Sequence, residues 1–164
     1  MTRAETITVT SPAFEAGGPI PVQYTGKEED ISPPLHLSDV SDHGVSLVVI
    51  MDDASHPLFK NFNHWVMWNI PPGEQIPENI THGATVSTPD GAVQGMGYGQ
   101  NRYKGPNPPA FMREAHHYIF HVYVLDCMLE LAPHSRKKNV LEAMDGHIIQ
   151  YGSVTGLWSN AYLK

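Results

Sequence analysis

Tyr118-Ile119-Phe120-His121-Val122-Tyr123-Val124-Leu125 is the stretch on which the fold turns. β-Branched and aromatic side chains dominate it, which suits a pleated, half-buried surface. Two further stretches of strand length lie upstream. Ser46-Leu47-Val48-Val49-Ile50-Met51 is a continuous apolar run, the pattern of a central strand covered on both faces. His64-Trp65-Val66-Met67-Trp68-Asn69-Ile70 is stopped by Pro71-Pro72-Gly73. Thr6 to Thr10 alternates Thr-Ile-Thr-Val-Thr and predicts one half-buried strand. Residues 12–34 are rich in Pro and Gly, and residues 71–115 predict long surface loops with one or two short strands. Fourteen Pro and fourteen Gly favour turns over long helices, so the chain reads as mostly β.

One helix is expected from Arg136 to Met144. Ser135 serves as N-cap, Val140, Leu141 and Met144 form the apolar stripe, and Gly146 suits a C-cap. His147 to Tyr151 reads as a second short helix. No repeat or linker divides the 164 residues, which therefore predict a single domain over 1–164 with one core.

The net charge of −7 with neutral histidines argues against nucleic acid or an anionic membrane as a general partner, while leaving room for a local anion site. The start, Met1-Thr2-Arg3-Ala4-Glu5, lacks the basic-then-apolar run of a signal peptide. No segment approaches the ~18 apolar residues of a membrane span, so the expected location is cytoplasmic, without integral membrane association. Cys127 is the single cysteine, which excludes an intrachain disulfide and suits a reducing compartment.

Ten histidines invite a metal reading. His117 and His121 have the spacing of a helical chelate, but their neighbours make this a strand. Four residues of strand span roughly 13 Å at ~3.3 Å each, too far for one zinc with bonds of about 2 Å. No metal and no cofactor are expected. Gly95-Met96-Gly97-Tyr98-Gly99 has glycines like a phosphate loop, yet Gln100-Asn101-Arg102-Tyr103-Lys104-Gly105-Pro106 opens no helix after it, so a flexible loop is the reading. Cys127 ends an apolar strand, where an inert buried thiol is the usual state. No Gly-x-Ser-x-Gly elbow is present.

Polar residues abut the strongest strands. Asp52-Asp53 ends the apolar run, His64 begins the next strand, and His116-His117-Tyr118 begins the third. Each could simply cap its strand. If the strands are neighbours, carboxylate, imidazole and phenol groups instead gather at one end of a sheet.

Those residues also carry a family resemblance. Met51-Asp52-Asp53-Ala54-Ser55-His56-Pro57, followed by His64-Trp65-Val66 and Asn69-Ile70-Pro71, resembles the first signature of the phosphatidylethanolamine-binding protein family, including its bacterial Raf-kinase-inhibitor-like members. That signature reads Asp-Pro-Asp-Ala-Pro, then a His-Trp strand ending Asn-Ile-Pro. Gly105-Pro106-Asn107-Pro108-Pro109 and His116-His117-Tyr118-Ile119-Phe120 are similar to the second, a Gly-Pro-x-Pro-Pro loop before His-Arg-Tyr. Ile20-Pro21, Tyr24-Thr25, Ser32-Pro33-Pro34-Leu35 and Gly146-His147-Ile148 fit as well. Aligned without a gap, Asp53 takes the first Asp of the motif, Ser55 the second and Ala54 its Pro, while His117 replaces the usual Arg. One carboxylate fewer makes the site less suited to a cationic head group than to a phosphate-like anion.

The resemblance implies a β-sandwich-like fold with a large antiparallel sheet, a smaller sheet and peripheral C-terminal helices. It implies a ligand site of Asp53, Ser55, His64, Asn107, Pro108, His116 and Tyr118, binding phosphoryl groups without cleaving them. His64, His116 and Tyr118 would donate hydrogen bonds to anionic oxygens, Asp53 would fix an imidazole tautomer, and the backbone of Asn107 would add a donor. The expected partner is a phosphorylated or anionic small molecule. The alternatives are an inhibitor of a protein target such as a kinase or protease, and an enzyme using a His/Asp acid–base pair. A homodimer is compatible with the sequence.

Overall fold

The computed structural model describes residues 4–163; the reading of Met1, Thr2 and Arg3 as free of a leader falls outside them. Nine strands occur in it: β1 (Glu5–Thr6), β2 (Thr8–Thr10), β3 (Leu35–Ser38), β4 (Ser46–Asp53), β5 (Phe62–Ile70), β6 (Gln75–Ile76), β7 (Val93–Gln94), β8 (His116–Leu125) and β9 (Ile148–Trp158). One helix, α1 (Lys137–Met144), and 3₁₀ turns at Val22–Tyr24 and Asn160–Tyr162 complete the regular structure. The large sheet runs β1-β9-β8-β4-β5-β7 and the small one β2-β3-β6. The large sheet is antiparallel except at its edge, where β1 pairs parallel with β9.

β4 lies at the centre, and all eight of its residues are buried. Leu47, Val49 and Met51 face the core shared with the small sheet, where Val9, Leu35 and Leu37 meet them. Val48 and Ile50 face the opposite way, against Val66, Trp68, Val140 and Met144. A fully buried side chain of this kind stabilises by about 1.5–3 kcal/mol relative to its exposed state, so a run apolar on both faces is driven to the middle of the sheet. β8 alternates instead: His116, Tyr118, Phe120, Val122 and Val124 are buried and the intervening residues more open.

Four local expectations are corrected. Thr6 to Thr10 is two strands in different sheets, because the chain crosses at Ile7, whose N–H donates to the Tyr151 carbonyl over 3.0 Å. His147 to Tyr151 forms no helix; Ile148 opens β9, the longest strand. Its buried positions alternate as Gln150, Gly152, Val154, Gly156 and Trp158, and the two glycines hide the apolar period. They are glycine because a Cβ on Gly152 would lie 2.3 Å from the Ile7 carbonyl oxygen, and one on Gly156 2.5 Å from Ile20. The helix begins at Lys137 rather than Arg136, with the Asn139 side chain accepting from the Arg136 N–H at 2.9 Å. Ser135 is not its cap, Leu141 is exposed, and Val140 and Met144 alone make the buried stripe. Finally, the Gly95–Gly99 segment is not loose. Gly95 N–H donates to Val66 and Met96 N–H to Ser135, and a Cβ on Gly97 would sit 2.8 Å from Trp65 Cα.

Candidate functional site

Both neighbours of β4 run antiparallel to it, so the C-terminal end of β4 meets the beginnings of β5 and β8. Asp53 is opposite Phe62 on one side and Tyr118 on the other. Strand alternation would send His64 to the wrong face, toward Val66 and Trp68. The register shifts here: Met51 pairs with Trp65 and Asp52 with Asn63, leaving His64 unpaired in a bulge. Bulges re-aim side chains, and this one turns His64 to the face of Tyr118, with ring centroids 5.4 Å apart. The His116 ring stacks on Tyr118 with centroids 6.2 Å apart. Asp53, His64, His116 and Tyr118 thus converge, all buried.

Hydrogen bonds orient the set. His116 Nδ1 lies 2.8 Å from Asp53 Oδ2, and the Ser55 N–H donates to Asp53 Oδ1 at 2.8 Å. His64 Nδ1 is 2.6 Å from the Lys104 carbonyl. A carbonyl and an ionised carboxylate only accept, so each Nδ1 carries a hydrogen and Nε2 is the atom offered to a ligand. Burial pushes the His64 pKa down, only partly offset by the Lys104 carbonyl and the Asp53 charge. Neutral His64 therefore presents a lone pair, not the N–H donor expected of it. Burial and the Asp53 charge push the Tyr118 phenol up, so its hydroxyl stays protonated and can donate.

The remaining sequence candidates sit differently. The Ser55 hydroxyl accepts from the His117 N–H at 3.0 Å and lies 3.2 Å from His117 Nδ1, so Ser55 supports Asp53 through its backbone. Asn107 is exposed and lines a neighbouring cleft of about 320 Å³ with Gly26, Glu28, Tyr98, Arg102 and Lys104. Pro108 is buried, its carbonyl taking hydrogen bonds from Lys27 Nζ and Asn160 Nδ2. Sequence reading missed three groups. Tyr98 packs on His64 at 5.0 Å, and Phe62 on Tyr98 at 5.1 Å. Lys104 anchors His64 through its carbonyl and holds Nζ 5.2 Å from the Tyr98 ring centre. The aromatic inside the Gly95–Gly99 segment was the one available signal.

Asp52 faces away from this site. Its Oδ2 is 2.6 Å from Lys137 Nζ and 3.8 Å from His121 Nε2, and Asn63 Nδ2 donates to its Oδ1 at 3.1 Å. The pair ties α1 to the sheet end. The His121 pKa is lowered by burial, opposed by Asp52, and lowered further by Lys137. Lys137→Ala should therefore move the His121 pKa upward, because it removes a repulsive cation and leaves Asp52 to pair with the imidazole. It should also cost about 1–3 kcal/mol through the carboxylate's lost partner. Proton NMR titration of His121 with a denaturant midpoint checks both, and an unmoved pKa would refute the coupling.

Comparison with known proteins gives a consistent picture. The sequence profile of the family described as phosphatidylethanolamine-binding protein matches residues 10–159. A UPF0098 protein of Pyrococcus abyssi is 44% identical over 140 residues, covering 85% of this chain and 78% of that one. A UPF0098 protein of Methanothermobacter thermautotrophicus is 41% identical, covering 89% of this chain and 94% of its own. Among solved structures, the phosphatidylethanolamine-binding protein homolog CT736 of Chlamydia trachomatis superposes with a TM-score of 0.80 at 35% identity, covering 95% of this chain and 99% of that one. YbcL of E. coli, at 24% identity, shares the fold with a TM-score of 0.82 over 93% of this chain and 98% of its own.

Proposed function

This chain belongs to the phosphatidylethanolamine-binding protein family, and from that premise we propose that it is a small-molecule binding protein whose Asp53/His64/His116/Tyr118 pocket takes a phosphoryl or similar anionic head group. The observation that carries the reading is the buried Asp53–His116 hydrogen bond beside a second imidazole, His64, anchored to a carbonyl. Such an arrangement offers Nε2 of two oriented imidazoles and one phenol hydroxyl to a single oxyanion. The rim supports an amphiphile over a bare ion. Phe62 and Tyr98 continue from His64, and Phe59 packs on Phe62 at 5.8 Å while remaining largely exposed.

Because neutral His64 presents a lone pair, the anion must bring a proton or the pocket must take one up. For a phosphodiester, whose charge is constant near neutral pH, His64 must be protonated to donate. A bound anion favours the imidazolium, so the His64 pKa is higher in the complex than in the free protein. Affinity should rise as pH falls through the complexed value, and level off below the free one, which lies under 6.5. Calorimetry with glycerophosphoglycerol, a phosphodiester without a cationic group, in two buffers of different ionisation enthalpy should report net proton uptake near pH 7. Affinity and heat independent of pH and buffer would reject this coupling.

The same Asp53–His116 contact could serve acid–base chemistry, so turnover is a second reading. On the binding reading a chromogenic phosphodiester is bound and not cleaved. Steady release of its product, lost in His116→Ala, would favour the enzyme instead.

A further inference from the structure

β8 ends and β9 begins at the opposite end of the sheet from the Asp53/His116 site, with Leu125 opposite Ile148. Just beyond, the Asp126 N–H donates to the His147 carbonyl over 3.0 Å. Gly146, at φ +82°, turns the chain out of α1 and delivers His147 to this point. Cys127 follows Asp126, and its carbonyl accepts from the Ser46 hydroxyl at 2.6 Å. The backbone is therefore pinned on both sides of a small cluster. His147 Nδ1 lies 2.8 Å from Asp126 Oδ1, and imidazole, carboxylate and thiol atoms all lie within 4.8 Å of one another. Among the described residues this is the one such group of three.

We propose that Asp126, Cys127 and His147 form a binding site for a zinc-type divalent cation. The donor chemistry selects the ion: a thiolate with an imidazole suits borderline-soft zinc or cobalt, whereas magnesium and calcium demand oxygen ligands. Bonds of ~2.0–2.3 Å in a tetrahedron place ligand atoms about 3.3–3.8 Å apart. From a widest separation of at most 4.8 Å the thiol has to approach by up to about 1.3 Å, while His147 Nδ1 and Asp126 Oδ1, 2.8 Å apart, open to about 3.3 Å and exchange their hydrogen bond for bonds to the ion. His147 and Asp126 can follow, because their side chains are 47% and 48% exposed. Solvent supplies the fourth position. Ligation sends the thiol proton to solvent and leaves the one imidazole hydrogen on the nitrogen facing away. The expectation of no metal rested on His117 and His121 along one strand; this set is assembled from two segments that only the β8–β9 pairing brings together.

The test uses the full chain, stripped of metal and titrated with Co²⁺ alone. Absorbance should saturate at one ion per chain, with a thiolate-to-cobalt charge-transfer band in the near ultraviolet, and Zn²⁺ should displace it. Cys127→Ser and Cys127→Ala should both lack the band. His147→Ala and Asp126→Asn should each weaken cobalt binding by more than about tenfold. His43→Ala, a change at an exposed histidine in another loop, should bind as the parent does. A missing charge-transfer band, or affinity unchanged in the Cys127 and His147 variants, would overturn the site and leave Asp126–His147 as a surface hydrogen bond. Phosphodiester affinity is measured separately, so neither proposal falls with the other.

Discussion

Gly152→Ala is expected to destabilise the protein by about 3 kcal/mol, a cost at the upper end for inserting a methyl group into a packed interior. At this chain length that corresponds to a melting temperature lower by roughly 6–12 °C. The new Cβ would lie 2.3 Å from the Ile7 carbonyl and 3.0 Å from Ile7 and Val9 side-chain atoms. The obstructing atom is backbone, at the point where the chain leaves the large sheet for the small one, so no rotamer change relieves it. The strand would have to part from Ile7, whose N–H is bonded to Tyr151. Gly73→Ala is the matched control, since a Cβ there meets nothing within 4 Å; its effect should stay within about 0.5 kcal/mol. Thermal melts of the two variants decide the matter. Equal melting temperatures would mean that β9 can move off the crossover and that the close approach holds nothing.

The second large effect concerns the pocket. His116→Ala and His64→Ala should each weaken binding of a phosphodiester probe by about tenfold to a hundredfold, the value of a charge-assisted hydrogen bond of on the order of 1.5–3 kcal/mol. The two losses have different origins. Removing His116 also strips Asp53 of its imidazole partner and leaves a buried carboxylate facing the anion. Removing His64 deletes a group whose protonation accompanies binding, so the pH dependence of the parent should weaken in that variant. His43→Ala and His134→Ala, both at exposed loop positions, should change affinity by less than a few tenths of a kcal/mol. Calorimetric titration of the four variants at two pH values separates these outcomes. If the loop variants lose as much as the pocket variants, the anion sits elsewhere.

The three main strands were legible because each carries its own burial signal. Leu47 to Met51 is apolar without interruption and lies buried on both faces; Tyr118 to Leu125 and His64 to Ile70 begin and end within a residue or two of β8 and β5. β9 was not legible, although it is the longest strand. Its inward positions include Gly152 and Gly156, and a glycine contributes no hydrophobicity to a period even where it marks the tightest packing. The helix was found with its start one residue early, because the cap is made by Asn139 reaching back to Arg136, not by the serine in the usual place.

What the sequence by itself determined was a mostly β chain with Asp53, His64, His116 and Tyr118 at strand ends, and the family signatures that named them as a set. Periodicity reports whether a residue is buried; it does not report against what. Which strands are neighbours, and so whether those ends coincide, was decided by pairings such as Asp53 with His116, 63 residues apart. The tertiary structure also decided the facing. Asp52 and Asp53 are adjacent in sequence, yet strand alternation sends one to Lys137 of α1 and the other to His116 in the candidate site. The bulge that brings His64 to the face of Tyr118 has no signature in its own residues, because it is a mismatch in spacing between β4 and β5 and exists only once the two strands pair. Tyr98 and Lys104 join the site for the same reason: Gly97 can lie against Trp65 only after β5 has formed, and the anchor for His64 comes from a residue 40 positions away.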